Sequence, residues 1–152
     1  MPKIIVPAHA GHISHLAANM READINEVAA SGRTPCRALA DSLADSAAAW
    51  TGLVNGVPVC MFGVNPSGLS AGAGSPWLLG TPEIERYALT FLRLNKGYVA
   101  RMLGLFPHLV NYVDARNHAS IRWLKWLGFK LDPSAVPFGI FEMPFYRFEM
   151  KR

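Results

Sequence analysis

The dipeptide Asn55-Gly56 constrains this chain more than any other local feature. Both central residues of a type I′ hairpin turn need positive φ, and Asn-Gly meets that need at the least steric cost. Strand-forming residues flank it: Trp50, Leu53 and Val54 before, then Val57, Val59, Met61, Phe62 and Val64 after. An antiparallel hairpin is therefore expected, about 48–54 paired with 57–65. Whatever the chain folds into must contain these two adjacent strands.

The segments around the hairpin alternate between helix and strand signals. Ile4-Ile5-Val6 reads as a first strand. Ile13, Leu16, Ala17 and Met20 then fall on one helix face. Asp24 followed three residues later by Glu27 has the spacing of a capping box, so a second helix is expected to start there, with Gly32 past its end. Thr34-Pro35 opens a third, with an N-cap followed by proline at the first helical position. After the hairpin, residues 65–76 are rich in Gly, Ser and Pro and read as a loop. Trp77-Leu78-Leu79 is a strand. Thr81-Pro82-Glu83 opens a helix that runs to about 105, with a kink or break near 95–97 at Gly97. Residues 109–114 form a strand. Asn117 caps a helix bearing Ile121, Leu124 and Leu127, which Gly128 ends, and Phe129 begins another strand. Residues 140–150 form the last strand. Its apolar parity changes at Pro144, which predicts an edge or a bulge because proline cannot donate to a ladder. The order defines an α/β chain: one domain, 1–152, with a mixed central sheet and a β-hairpin after N-terminal helices.

Composition narrows the function. The chain is 51% apolar and 17% charged, so it can bury a core and is not a disordered chain. No apolar run approaches the ~20 residues of a membrane span, and the N-terminus lacks the apolar core of a signal peptide. Cys36 and Cys60 make no disulfide framework, which points to a reducing compartment and two buried, inert thiols. Residues 1–76 carry four basic and five acidic side chains, and residues 77–152 carry eleven and six. A basic half can attract anionic partners, nucleic acid included, although no polybasic run exists.

Few side chains suggest a site by spacing alone. His9, His12 and His15 could place two imidazoles on one helix face, but no third ligand is near, so no metal is expected. Trp123 and Trp126 lie three apart with Arg122 and Lys125 interleaved. That combination suits an interface or stacking on nucleic acid, with at least one tryptophan packing on the sheet. The 65–75 loop is a further interface candidate, since Gly and Ser cannot order it by burying apolar surface.

The segment Asn117-His118-Ala119-Ser120-Ile121-Arg122-Trp123-Leu124-Lys125-Trp126-Leu127-Gly128-Phe129, after strand 109–114, resembles the last motif of the GNAT acetyltransferases. The order of elements resembles that fold along nearly the whole chain. The resemblance implies that Asn117, Gly128 and Phe129 belong to the fold motif, and that acetyl-CoA is the cofactor if the chain is an enzyme. A narrower resemblance rests on Pro76-Trp77-Leu78-Leu79-Gly80-Thr81, Val113-Asp114-Ala115-Arg116-Asn117, Ser120 to Lys125, and Pro144-Phe145-Tyr146-Arg147-Phe148. These are similar to small GNAT-like internal-virion or morphogenesis proteins of short-tailed bacteriophages. That resemblance implies a virion or host-cytoplasm location, phage structural proteins as partners, and no catalysis.

Two departures from the enzyme pattern favour the non-catalytic expectation. GNAT enzymes carry R/Q-x-x-G-x-G/A after the fourth strand, where backbone N–H groups meet the pyrophosphate. Here Leu79-Gly80-Thr81-Pro82-Glu83-Ile84-Glu85 has no glycine pair, lacks one N–H at Pro82, and carries two acids. Arg101-Met102-Leu103-Gly104 half-matches the string but lies at a helix end. Many GNATs also place an acidic tyrosine seven residues after the Asn, and Leu124 stands there. Tyr112 and Tyr146 are phenols that could substitute, but nothing in the spacing supports either. No catalytic residue is assigned, and no cofactor is expected.

Overall fold

The computed structural model describes residues 2–152. Strand β1 (Lys3–Pro7) leads through a 3₁₀ turn (Ala10–His12) to three short helices: α1 (Ile13–Ala18), α2 (Glu22–Ala30) and α3 (Pro35–Asp45). Strands β2 (Ala48–Val54), β3 (Val57–Pro66) and β4 (Gly74–Gly80) follow as an antiparallel meander. Then come α4 (Glu83–Arg86), α5 (Ala88–Leu105), β5 (His108–Asp114) and α6 (His118–Leu127). Strands β6 (Lys130–Leu131), β7 (Val136–Phe138) and β8 (Met143–Lys151) close the chain. The sheet order is β1-β2-β3-β4-β5-β8-β6, with β7 also on β8. All neighbours are antiparallel except β4 and β5. This is the single mixed-sheet α/β domain expected from the sequence.

The hairpin forms as its turn chemistry demands, with Asn55 at φ 53° and Gly56 at φ 80°. Because side chains alternate across a strand, β3 feeds both faces. Cys60, Phe62 and Val64 join the core under α5 and α6, whereas Met61 joins the smaller core under α1 and α3. Thr34 caps α3, accepting from Arg37 N at 3.3 Å. Asn117 caps α6, accepting from Ser120 N, and Gly128 ends that helix at φ 104°, where a Cβ is strained.

Several expectations need correction. Asp24 and Glu27 do not form a capping box: α2 starts two residues earlier, at Glu22, and both carboxylates sit inside it. The break in the long helix falls at Tyr87, between α4 and α5, and Gly97 lies within an unbroken α5. Exposed Gly97 has no neighbour within 4 Å of where a Cβ would be, so nothing there forces a bend. Pro144 is not on an edge. β8 pairs with β5 on one side and with β6 and β7 on the other, and Pro144 faces Pro137 of β7, where neither residue has an N–H to lose. Loop 67–73 is ordered by its own bonds, Ser67 N to Ala73 O at 2.8 Å and Leu69 N to Ser67 Oγ at 2.9 Å.

Among the described residues no helix is long and apolar enough to cross a membrane.

Candidate functional site

The parallel pair β4–β5 touches at one register position, Gly74 opposite Leu109. Gly74 is required there: a Cβ would stand 2.6 Å from the Phe106 ring, which packs directly on the strand. Two side chains extend the join slightly. Ser75 Oγ donates to Val110 O, and Asn111 Nδ2 donates to Pro76 O, both at 2.9 Å. Beyond that the strands part. The gap is a cavity of about 310 Å³, walled by Trp77, Leu78 and Leu79 of β4 and by Asn111, Tyr112 and Val113 of β5. Leu92, Asn95 and Val99 of α5 and Trp123 and Leu124 of α6 complete one side, and Glu27 and Ser31 lie on the other. A largely apolar cleft at the carboxyl ends of parallel strands, with a few polar groups, is the usual form of a ligand site.

Glu27 contributes a carboxyl to this wall. Burial pushes its carboxyl up to about 8, and the nearby Asp24 charge adds to the rise. Opposing this, Asn117 Nδ2 donates to Glu27 Oε2 at 2.5 Å, and the Asp114 backbone also hydrogen-bonds it. Asn117 thus does two things at once: its oxygen caps α6 and its amide nitrogen holds Glu27. A carboxyl poised near neutral pH in a cleft is suited to taking and returning a proton.

Beside it lies a buried ion pair. Arg21 Nε and Nη2 donate to the two oxygens of Asp24 at 2.8 and 3.0 Å, and both residues are almost wholly buried. Asp24 Oδ2 also accepts from Gly80 N at 2.8 Å, at the end of β4. Arg21 Nη2 reaches Ser120 Oγ on α6 at 2.6 Å, and its guanidinium lies 4.9 Å from the Trp123 ring centre. Burial pushes the Asp24 carboxyl up, and Arg21 pulls it back. This chain of bonds ties the start of α2 to the end of β4 and to α6. Asp114 is held by Arg116 at 2.7 Å; burial opposes the ionised form, but those bonds keep its carboxyl below the ordinary range.

The turn after β4 does not fit a pyrophosphate. Four of its amides are taken by the protein: Gly80 N–H by Asp24, Thr81 N–H by Val59 O, Ile84 N–H by Thr81 O and Glu85 N–H by Pro82 O. Pro82 has none. Among the described residues, the cavity offers one unmatched buried side-chain atom, Asn95 Oδ1. That oxygen fits an incoming amide N–H.

The other sequence candidates fall outside this centre or on its rim. Trp123 is half-buried on the cavity wall, whereas Trp126, Arg122 and Lys125 are exposed, with Lys96 Nζ 4.5 Å from the Trp126 ring centre. Phe129 is core, edge-on to Phe148. Tyr112 lines the cavity, stacked on Phe138, while Tyr146 packs in the core. Buried His12 contacts Thr51 Oγ1 at 2.8 Å and the His9 ring; burial and His9 keep its pKa low. Among the described residues no His, Cys, Asp and Glu gather as a metal site. Cys60 is buried, its thiol pushed up to about 12, but Cys36 is exposed, which corrects the expectation of two buried thiols. Sequence reasoning missed Glu27 as a site residue and Arg21 altogether. The Asn117 motif was the available signal, since Asn117 is the residue that holds Glu27.

No family model matches the chain, and no curated protein matches it. Solved structures do. An N-acetyltransferase from Staphylococcus aureus Mu50 is 13% identical, with TM-score 0.71, over 99% of both chains. A GNAT-superfamily phosphinothricin acetyltransferase from Sinorhizobium meliloti, in complex with acetyl-CoA, is 15% identical, with TM-score 0.71, over 99% of this chain and 89% of that one. The ribosomal-protein-S18-alanine N-acetyltransferase of Escherichia coli is 11% identical, with TM-score 0.69, over 99% of this chain and 94% of its own. The chain has the GNAT acetyltransferase fold.

Proposed function

We propose that this chain is an N-acyltransferase that uses an acyl thioester, with the β4–β5 cavity as the seat of the acyl group and Glu27 as the base. The observation that carries this reading is a carboxyl pushed up to about 8 on the wall of that cavity, hydrogen-bonded by Asn117. In the reaction an acceptor amine forms the new C–N bond and the thioester C–S bond breaks. The proton leaving nitrogen goes to Glu27, and the sulfur departs as a thiolate that takes a proton from solvent once released. Asn117 is a positioning residue for Glu27. The apolar walls keep water from the acyl carbon. The acetyltransferases that share the fold, one of them solved with acetyl-CoA, support this class of chemistry.

The test is acylation of a panel of primary amines with acetyl-CoA and acetyl-pantetheine, product amide read by mass. Wild type should form product, and Glu27→Gln should lose about 10²–10⁴-fold in kcat along with the limb of the pH profile near 8. Absence of product from every donor and amine, or an unchanged Glu27→Gln, refutes the reading.

A second reading has its own observation. Leu124, on the cavity wall, has no proton to give, and the first amide after β4's apolar run, Gly80 N–H, is already taken by Asp24. Both suit a protein that uses the fold only to bind partners, as a component of a short-tailed phage particle would. Under that reading the exposed Arg122, Lys125 and Trp126 face supplies the contact with phage structural proteins. Presence of the chain in purified particles, with no acyl transfer, would favour it.

A further inference from the structure

Resting on the acyl-transfer reading, we infer that the donor is recognised through its acyl-pantetheine arm alone and that its nucleotide phosphates contribute nothing to binding. The end of β4 and the following turn are where an anionic tail would meet backbone amides in a fold of this kind. The chain has put its own anion there. Asp24, 2% exposed, accepts from Gly80 N at 2.8 Å and engages both oxygens with Arg21. A phosphate would have to displace a carboxylate already matched to the same amide.

The buried cation beside this amide is already engaged. Arg21 is 3% exposed and directs Nε and Nη2 to Asp24, with Nη2 also on Ser120 and the guanidinium against Trp123. The exposed charges of the short helix α4 are two acids, Glu83 and Glu85, against one base, Arg86, whose guanidinium lies 5.5 Å from the Tyr87 ring centre, so the helix is net negative. Four residues are also too few for a helix to present an anion site.

The cavity offers the opposite chemistry. Leu78, Leu92, Val99 and Leu124 line it, and the orphaned Asn95 Oδ1 is the acceptor that an amide of a pantetheine arm requires. An acyl-pantetheine reaches a protein from two sources, coenzyme A or the prosthetic arm of a carrier protein, and the shared arm is what these walls match.

Calorimetric titration of the full chain with acetyl-pantetheine, acetyl-CoA, adenosine 3′,5′-bisphosphate and an acetylated carrier protein tests this. The expected result is dissociation constants for the two small thioesters within about threefold. The bisphosphate should not compete, acetyl-CoA affinity should not change between 50 and 300 mM salt, and Asn95→Leu should weaken both thioesters at least tenfold. A tenfold advantage for acetyl-CoA or for the carrier protein over the bare arm overturns the inference while leaving acyl transfer standing. Equal binding of both thioesters with no amide product leaves the inference standing and removes the acyl-transfer reading. Failure of every thioester to bind at millimolar concentration overturns both. If Asn95→Leu does not fold, the four-ligand comparison on the wild type decides.

Discussion

Replacing Glu27 by glutamine should make the protein more stable at alkaline pH and flatten its stability profile. The wild-type carboxyl moves from an ordinary 4.5 to about 8 on folding, mainly through burial. Between those values the folded state binds a proton that the unfolded chain has released. Stability is therefore full below pH 4.5 and falls as pH rises toward 8. Each unit is worth about 1.36 kcal/mol, so the interval from pH 5 to 8 carries at most about 4 kcal/mol. For a domain of this size that corresponds to roughly 8–16 °C in Tm. Glutamine keeps the shape and the acceptor for Asn117 Nδ2, and it has nothing to ionise. Urea unfolding of both proteins from pH 5 to 8.5 isolates the effect by difference, because Asp24, Asp114 and Glu149 titrate in both. Wild type should lose stability relative to Glu27→Gln across this range. Parallel profiles would show that Glu27 ionises normally and would remove it as a base.

Asn117→Ala should cost about 1 kcal/mol as a lost cap and should also raise the Glu27 pKa, because the amide bond it supplies favours the ionised form; carboxyl carbon NMR reads the second effect. Phe129→Ala should cost about 3–5 kcal/mol, since the ring is 6% exposed and edge-on to Phe148, and an unchanged Tm would refute its core role. Arg21→Met should cost about 3–5 kcal/mol by leaving Asp24 buried without its partner, and the double variant with Asp24→Leu should recover part of that loss in thermal melts. A thiol-directed disulfide reagent should label Cys36 at once and Cys60 only on unfolding, because the latter is 1% exposed and its thiol is pushed up to about 12; two equally fast thiols would contradict this.

What could be read from the sequence was what neighbours in the chain decide. The Asn55-Gly56 turn, the Thr34-Pro35 start and the Asn117 to Gly128 helix form as expected because each depends on φ values and caps within a few residues. The wall around Glu27 escaped because its bonds span the chain: Asp24 to Gly80 is 56 residues and Asn117 to Glu27 is 90. A spacing of three between two acids on a helix has the same form whether they cap it or face a cavity. Only packing against β4 and α6 distinguishes the cases. Pro144 misled for a related reason. Its missing N–H matters only against the strand beside it, and that strand presents another proline.

The single rung between Gly74 and Leu109 has a mechanical consequence. One antiparallel ladder runs from β1 to β4 and another from β5 to β8, and the backbone stitches them together at one point. Amides of the two ladders should therefore exchange with solvent as two populations with separate opening energies. Pulled across that seam, the molecule should tear there first, while each ladder holds. A chain cut in the exposed turn near Pro82 would leave each fragment with a whole ladder, and the packing of α5 and α6 to bring the two back together.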